Sequence, residues 1–412
     1  MGENGSPQII DYANGFTAAA HILLDKVIED EGIHHYVDDL IYPIAFNIRH
    51  AIELRLKGTA VSLKKLSAYR EKIPDFDLAG SHDIGLIWRY IKENSGSLDK
   101  RYAPLIAKLN RYIVDIANVD ATGQVFRYPF SNENKKHLVE VAVINLVLLK
   151  CKLEKFEKVL GQLHDLNIEL LEEYSLNSHT PKLSRADLFE VAKRLPPLSK
   201  WGESNFDDVK ERIKTEFSIG SRELSRAIKI IQGHFELAQY IHATPRLPNT
   251  SMPLLDLFLD CWVRLHDLDR IKNPQSLRIN QEDLRADSID DMIRRSELKA
   301  ECWKDLEPQI SPGFIAEITA LFYFGHDSRY TENFQRYFES HAAEINSQFE
   351  KYPLLFKQSV FHILTKTNGL ENILYSLYRL GQIELADHIY NRYELEDCFS
   401  WLARIRENRL PV

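Results

Sequence analysis

Only four cysteines occur in the 412 residues, Cys151, Cys261, Cys302 and Cys398, and no two of them form a CxxC pair. That spacing argues against a zinc ribbon and offers no disulfide framework. A basic surplus is missing too. Fifty-two Lys and Arg stand against 60 Asp and Glu, a net charge of −8, so there is no global basic footprint for nucleic acid. Long apolar runs are lacking: Val141 to Leu149 is interrupted by Asn145 and is too short to span a bilayer. The first residues lack the basic, apolar, small-residue succession of a signal peptide. With the cysteine usage, this points to a reducing cytoplasm and no membrane partner. No Walker-type glycine loop, GxGxxG or GxSxG appears. These absences set aside a P-loop NTPase, a Rossmann domain and an α/β-hydrolase.

What is present is the make-up of a globular chain, 44% hydrophobic and 27% charged, long enough for two or three domains. Strand signals are scarce and helical periodicity recurs, so the fold class is all-α. Helices are predicted over 13–31, 33–58, 59–73, 83–94, 98–119, 131–175, 206–243, 312–345 and 353–407. The helical stretch from 131 follows a cap region, Ser131-Asn132-Glu133-Asn134, and an amphipathic run starts near Ser221 or Arg222. Composition shifts over 176–205, ending in Leu195-Pro196-Pro197-Leu198, and a second break falls at Thr244-Pro245-Arg246-Leu247-Pro248-Asn249. The domains expected are 1–175, a helical bundle; 176–250, a linker and helical hairpin; and 251–412, a C-terminal helical domain. Between Arg270 and Arg295 the chain is dense in Arg and Asp, a solvent-facing pattern. Leu374 to Asp387 reads as helix, Gly381 turn, helix, the form of a helical repeat unit, with no second copy at a fixed period.

One stretch concentrates the polar chemistry. From Tyr42-Pro43 to Lys57 the chain reads as a helix with Pro43 at its start, where a missing N–H does no harm. Ile41, Ile44, Ile48, Ile52 and Leu56 form an apolar stripe, and His50, Glu53 and Lys57 form a polar line opposite it. Phe46 and Leu54 share the polar side, which implies that another element covers part of it. A half-buried His/Glu/Lys line needs partners, because an unpaired buried charge is costly. Two later segments can supply them. Ser81-His82-Asp83 opens a helix. Asp120 to Pro129 holds a Thr122-Gly123 turn followed by an extended run with Arg127 between aromatics. Arg127 is expected to fork onto Glu53.

These three stretches together resemble a family. Tyr42-Pro43 with Arg49-His50-x-x-Glu53-Leu54-x-Leu56-Lys57, then His82-Asp83 with Leu86-x-Trp88, then Gly123-x-x-Phe126-Arg127-Tyr128-Pro129, look like a subgroup of HEPN-like helical proteins. The resemblance covers roughly residues 10–175. It implies a bundle of about four or five helices, often dimeric, in prokaryotic defence, toxin–antitoxin or RNA-processing settings. Active members carry an Arg, about four to six residues and a His on a late helix, and cleave RNA without a metal. Residues 132–175 contain no arginine, so the resemblance implies the scaffold without the nuclease in this domain.

The candidate ligand-binding residues are therefore His50, Glu53, Lys57, His82 and Arg127, with Arg127 and Lys57 as contacts for the phosphate of a nucleotide or RNA end. The competing reading is a buried hydrogen-bonded network that locks the bundle. No cofactor is expected. A metal-dependent phosphohydrolase is the alternative, because His82-Asp83 resembles the metal-binding pair of HD-type enzymes, with His50 upstream and Asp115 or Asp120 downstream. The plain counter-reading is that Ser81 caps the helix and His82 bonds within the bundle. His34-His35-Tyr36-Val37-Asp38-Asp39 offers His/Asp pairs at metal-holding spacing, or simply a solvated helix start. Arg336 and His341 form the chain's one Arg-x4-His match, a catalytic pair if any nuclease is present, with Tyr337 where active members place a small polar residue. Lys64, Lys65, Arg70 and Lys72 are a solvated helix face or an RNA strip. The function expected is a defence or toxin–antitoxin component that binds RNA, a nucleotide or a partner protein, without its own catalysis. A homodimer or a plain helical scaffold presenting residues 310–407 also fits.

Overall fold

The computed structural model describes residues 5–30, 36–70, 72–130, 144–266, 289–396 and 398–407, with positions 268 and 272. His34 and His35, the Ser131-Asn132-Glu133-Asn134 cap and most of the Arg270–Arg295 stretch lie outside the described residues. Within them the chain is all-α: sixteen α-helices, two short 3-10 turns and no strand. No described helix is long and apolar enough to cross a membrane. The residues cluster into two compact units, Met1–Ser184 and Arg185–Val412.

The first unit holds α1 (Ile9–Glu29), α2 (Val37–Leu66), α3 (Ile84–Leu98), α4 (Tyr102–Asp120) and α5 (Leu146–Ser175). Helix α2 packs against α1, α3 and α5, and α4 closes the group against α3 and α5. Its predicted stripe is buried: Ile44, Ile48, Ile52 and Leu56, continued by Ala60, Leu63 and Leu66. Each such Ile or Leu contributes about 1.5–3 kcal/mol on leaving water.

Helix α2 departs from expectation in two ways. It runs unbroken where two helices were predicted, because Thr59 and Ser62 turn their hydroxyls back onto the Arg55 and Gly58 carbonyls instead of competing with the helix. Pro43 lies inside the helix rather than at its start. Asn145 precedes helix α5 and its side chain accepts from the Leu148 N–H, so the residue that interrupts the apolar run is a helix cap. A buried polar chain ties three helices: Tyr102 donates to Asn167 at 2.8 Å, and Asn167 donates to Thr59 at 3.2 Å.

The second unit holds α6 (Arg185–Arg194), α7 (Phe206–Phe217), α8 (Ser221–Gly233), α9 (Met252–Leu265), α10 (Ile289–Leu306), α11 (Pro312–Phe324), α12 (Glu332–Lys351), α13 (Pro353–Leu364), α14 (Gly369–Arg379), α15 (Ile383–Arg392) and α16 (Leu402–Glu407). A 3-10 turn, Leu237–Ile241, packs on α6 and α8. Helix α11 is apolar nearly all round and sits in the centre, against α12, α13 and α14. Its one charge, Glu317, is buried and accepts from the Asn249 backbone and side chain and from the Thr250 hydroxyl, which pins the 244–250 break.

Candidate binding site on helix α2

The polar line of α2 is covered, as its mixed face suggested. The Glu53 side chain is only 3% exposed and lies among cations. It accepts from Lys57 at 3.0 Å and from the His82 Nδ1 at 2.9 Å, and pairs with Arg49 one turn back on the same helix. The His50 Nδ1 stands 3.8 Å away. Burial alone would raise the Glu53 pKa, but hydrogen bonds from His82, Lys57 and Arg49 outweigh it and hold the carboxyl below its ordinary value.

Arg49 is the residue that sequence reasoning missed. It is buried, and besides Glu53 it donates to the carbonyls of His82, of Ala121 at 2.6 Å and of Asp120 at 3.3 Å. Asp120 ends α4 and Ala121 follows it, so a cation meets the negative end of that helix. Arg49 thus joins α2, the start of α3 and the end of α4. One signal was available: it opens the Arg-His-x-x-Glu motif, one helical turn before Glu53.

Arg127 does not fork onto Glu53. Its Nε donates to the Gly123 carbonyl at 2.6 Å, and its guanidinium lies over the rings of Phe46 and Tyr128, each at 5.8 Å. The segment expected to extend after Gly123 is turned instead, with the Arg127 and Tyr128 amides both on the Gln124 carbonyl. Gly123 has φ +78°, and a Cβ there would meet the Arg49 Cζ at 3.2 Å. The turn therefore holds Arg127 at the rim while Arg49 occupies the Glu53 face. Among the described residues no carboxylate lies within ion-pair distance of Arg127.

Between α2 and these two loops lies a cavity of about 480 Å³, lined among others by Phe46, His50, Glu53, Ser81, His82 and Arg127. His50 stacks on Phe46 at 5.6 Å and takes the edge of Phe16 at 4.5 Å. Burial lowers its pKa, so the imidazole is neutral near pH 7. Four of the five expected binding residues thus line one cavity. Lys57 does not: its ammonium is committed to Glu53 and it is 12% exposed, which removes it as an anion contact.

Asp83 caps α3 through the Leu86 N–H at 3.0 Å, so the cap is Asp83 and not Ser81, whose buried hydroxyl has no partner among the described residues. His82 bonds within the unit, onto Glu53. Among the described residues no three or more His, Cys, Asp or Glu side chains are grouped to hold a metal ion. His50, His82 and Asp83 accordingly do not converge as ligands. Arg336 and His341 lie on α12, in the second unit. At about 100° per residue they are roughly 140° apart around the helix; Arg336 is exposed, and His341 is half-buried against Tyr323 at 5.3 Å.

No protein-family model matches the chain, and no curated protein or solved structure matches it significantly.

Proposed function

We propose that the first unit is a binding module that takes the phosphate-bearing end of a nucleotide or RNA in the α2 cavity and performs no catalysis there. One observation carries the reading. Arg127 stands at the cavity, over the face of Phe46, with no carboxylate partner among the described residues. A guanidinium beside an aromatic face and a neutral imidazole suits a phosphate next to a stacked base. The Glu53 cluster plays a separate, structural part. Its cations all converge on one carboxylate, and together they hold the cavity walls in place. The likeness to HEPN-like proteins supplies the setting, a prokaryotic defence or toxin–antitoxin component that works with RNA or a partner protein.

Binding of short oligoribonucleotides, with and without a 5′-phosphate, tests the reading by fluorescence anisotropy. The phosphorylated strand is expected to bind more tightly, and Arg127→Ala is expected to weaken it roughly tenfold or more, as for loss of one charge-assisted hydrogen bond. Equal affinity for both strands, or an Arg127→Ala protein that binds like the parent, rules the reading out.

A further inference from the structure

A cavity of about 700 Å³ lies in the second unit, within reach of the 3-10 turn 237–241, the 244–252 segment and the α14–α15 turn. Its volume is that of a site for a small organic ligand. The wall is mixed. Leu247, Met252, Ile383 and Ile405 give it an apolar side, and Arg246 and Arg379 give it two guanidinium groups.

Among the described residues neither arginine has a carboxylate within ion-pair distance. Arg379 donates through Nη2 to the Ser328 carbonyl at 3.1 Å; its Nε is buried without an acceptor, and Nη1 donates to no described protein group. Arg246 is exposed and makes no hydrogen bond or ion pair among the described residues. Leaving a buried donor unmet is unfavourable by about 1–3 kcal/mol. A ligand oxygen that drew the Arg379 side chain toward the cavity would relieve it.

Several other polar groups of the wall are already engaged. Tyr378 donates to Asp387 at 2.9 Å, Thr250 to Glu317 at 2.8 Å, and Gln382 to the Pro245 carbonyl at 2.7 Å. Because the Gln382 side chain is used this way, it does not cap α15, whose first residues, Ile383 to Leu385, line the same cavity. The turn that shapes this wall is set in advance. Gly381 has φ +66°, and a Cβ there would meet the Gln239 side chain at 2.9 Å.

Charge decides the ligand class. Two carboxylates also line the cavity, Glu236 and Glu384. Glu236 is turned to Arg185 at 3.0 Å, a guanidinium it shares with Glu332 at 2.8 Å. Among the described residues neither Glu236 nor Glu384 pairs with Arg246 or Arg379, so both guanidinium groups are left to meet one carboxylate head. We infer that the second unit binds a small organic monoanion, a carboxylate on an apolar body, with Arg379 and Arg246 receiving the head and Leu247, Met252 and Ile405 the body. This site is independent of the α2 cavity and does not rest on the function proposed for it.

Phenylacetate, its neutral amide phenylacetamide, and phenyl phosphate serve as probes in calorimetric titrations of the full chain. Phenylacetate is expected to bind saturably and phenylacetamide at least about tenfold more weakly, the value of one charge-assisted contact. Arg379→Gln and Arg246→Gln should each weaken phenylacetate by a similar factor, while Arg127→Ala should bind it unchanged. Arg246 is exposed and unbonded, so its variant tests the site even if Arg379→Gln misfolds. Three results would overturn the inference: no saturable binding of phenylacetate, equal binding of the amide, or parental affinity in Arg246→Gln. A preference for phenyl phosphate over phenylacetate would overturn the single-charge assignment.

Discussion

Arg49 and Glu53 face each other one turn apart on α2 with both side chains about 3% exposed, a fully desolvated ion pair at the junction of three helices. Removing one member leaves the other charged and buried, a loss of roughly 3–5 kcal/mol. Glu53→Ala is expected to lower the denaturant midpoint by a corresponding amount. Glu53→Gln should lose less, since an amide oxygen still accepts from Arg49. The double variant Arg49→Met/Glu53→Leu should recover only part, because the carbonyls of His82, Asp120 and Ala121 lose their donor. Chemical denaturation checks all three; full recovery in the double variant would show that Arg49 does not hold α4.

Stability should fall on acidification in two stages. His50 has a folded pKa below its ordinary 6.5, by burial, so the unfolded chain takes up its proton first. Its contribution is complete above pH 6.5 and is lost as pH drops through the folded value. Glu53 is also depressed, so its contribution is complete above about pH 4.5 and drains below it. Denaturant midpoints followed from neutral to acid pH should flatten in the upper stage for His50→Gln and in the lower stage for Glu53→Gln. Profiles parallel to the parent would disprove this assignment.

Gly123→Ala should damage the site from outside its charged groups. The positive φ alone costs a residue with a Cβ about 1–2 kcal/mol, and the new Cβ presses on the Arg49 guanidinium at 3.2 Å. The variant is expected to be destabilised by that amount or more and to bind the phosphorylated strand more weakly. Unchanged thermal unfolding would mean the turn relaxes freely.

Thiol labelling of the native chain should separate acidity from access. The hydrogen bond with Cys261 lowers the Cys302 pKa, yet both residues are fully buried between α9 and α10. Cys151 is exposed. Alkylation needs both thiolate and access, so mass spectrometry should find Cys151 modified first and Cys302 only on unfolding. Modification of Cys302 at the rate of Cys151 would contradict that packing.

Much of the fold was legible because it is local. The stripe Ile44, Ile48, Ile52, Leu56 follows from helical periodicity, and the breaks at Pro196-Pro197 and Pro245 follow from proline. The continuity of α2 through Gly58 was less visible, since it depends on hydroxyls bonding back to the helix; a Cβ at Gly58 would meet the Ile9 side chain at 3.3 Å. The cap role of Asn145 was hidden because the run around it reads as uniformly apolar. In the site, His50, Glu53 and His82 could be picked out by residue type, while Arg49 showed only its place one turn before Glu53, for nothing in a single helix says that a guanidinium will be buried.

By itself, then, the order of residues determined an all-helical chain and a polar line on α2 that needs covering. Only the tertiary structure decided which cation meets Glu53, and that Arg127 stands apart at a cavity rim. Helical repeat is a property of neighbours three and four positions apart. The carbonyl partners of Arg49 come from 33 to 72 positions away, brought in by loops whose path depends on how α3 and α4 pack. The same holds for the second cavity, whose arginines are separated by 133 positions (379 − 246) and share a wall only once α14 and the 244–252 segment are in place.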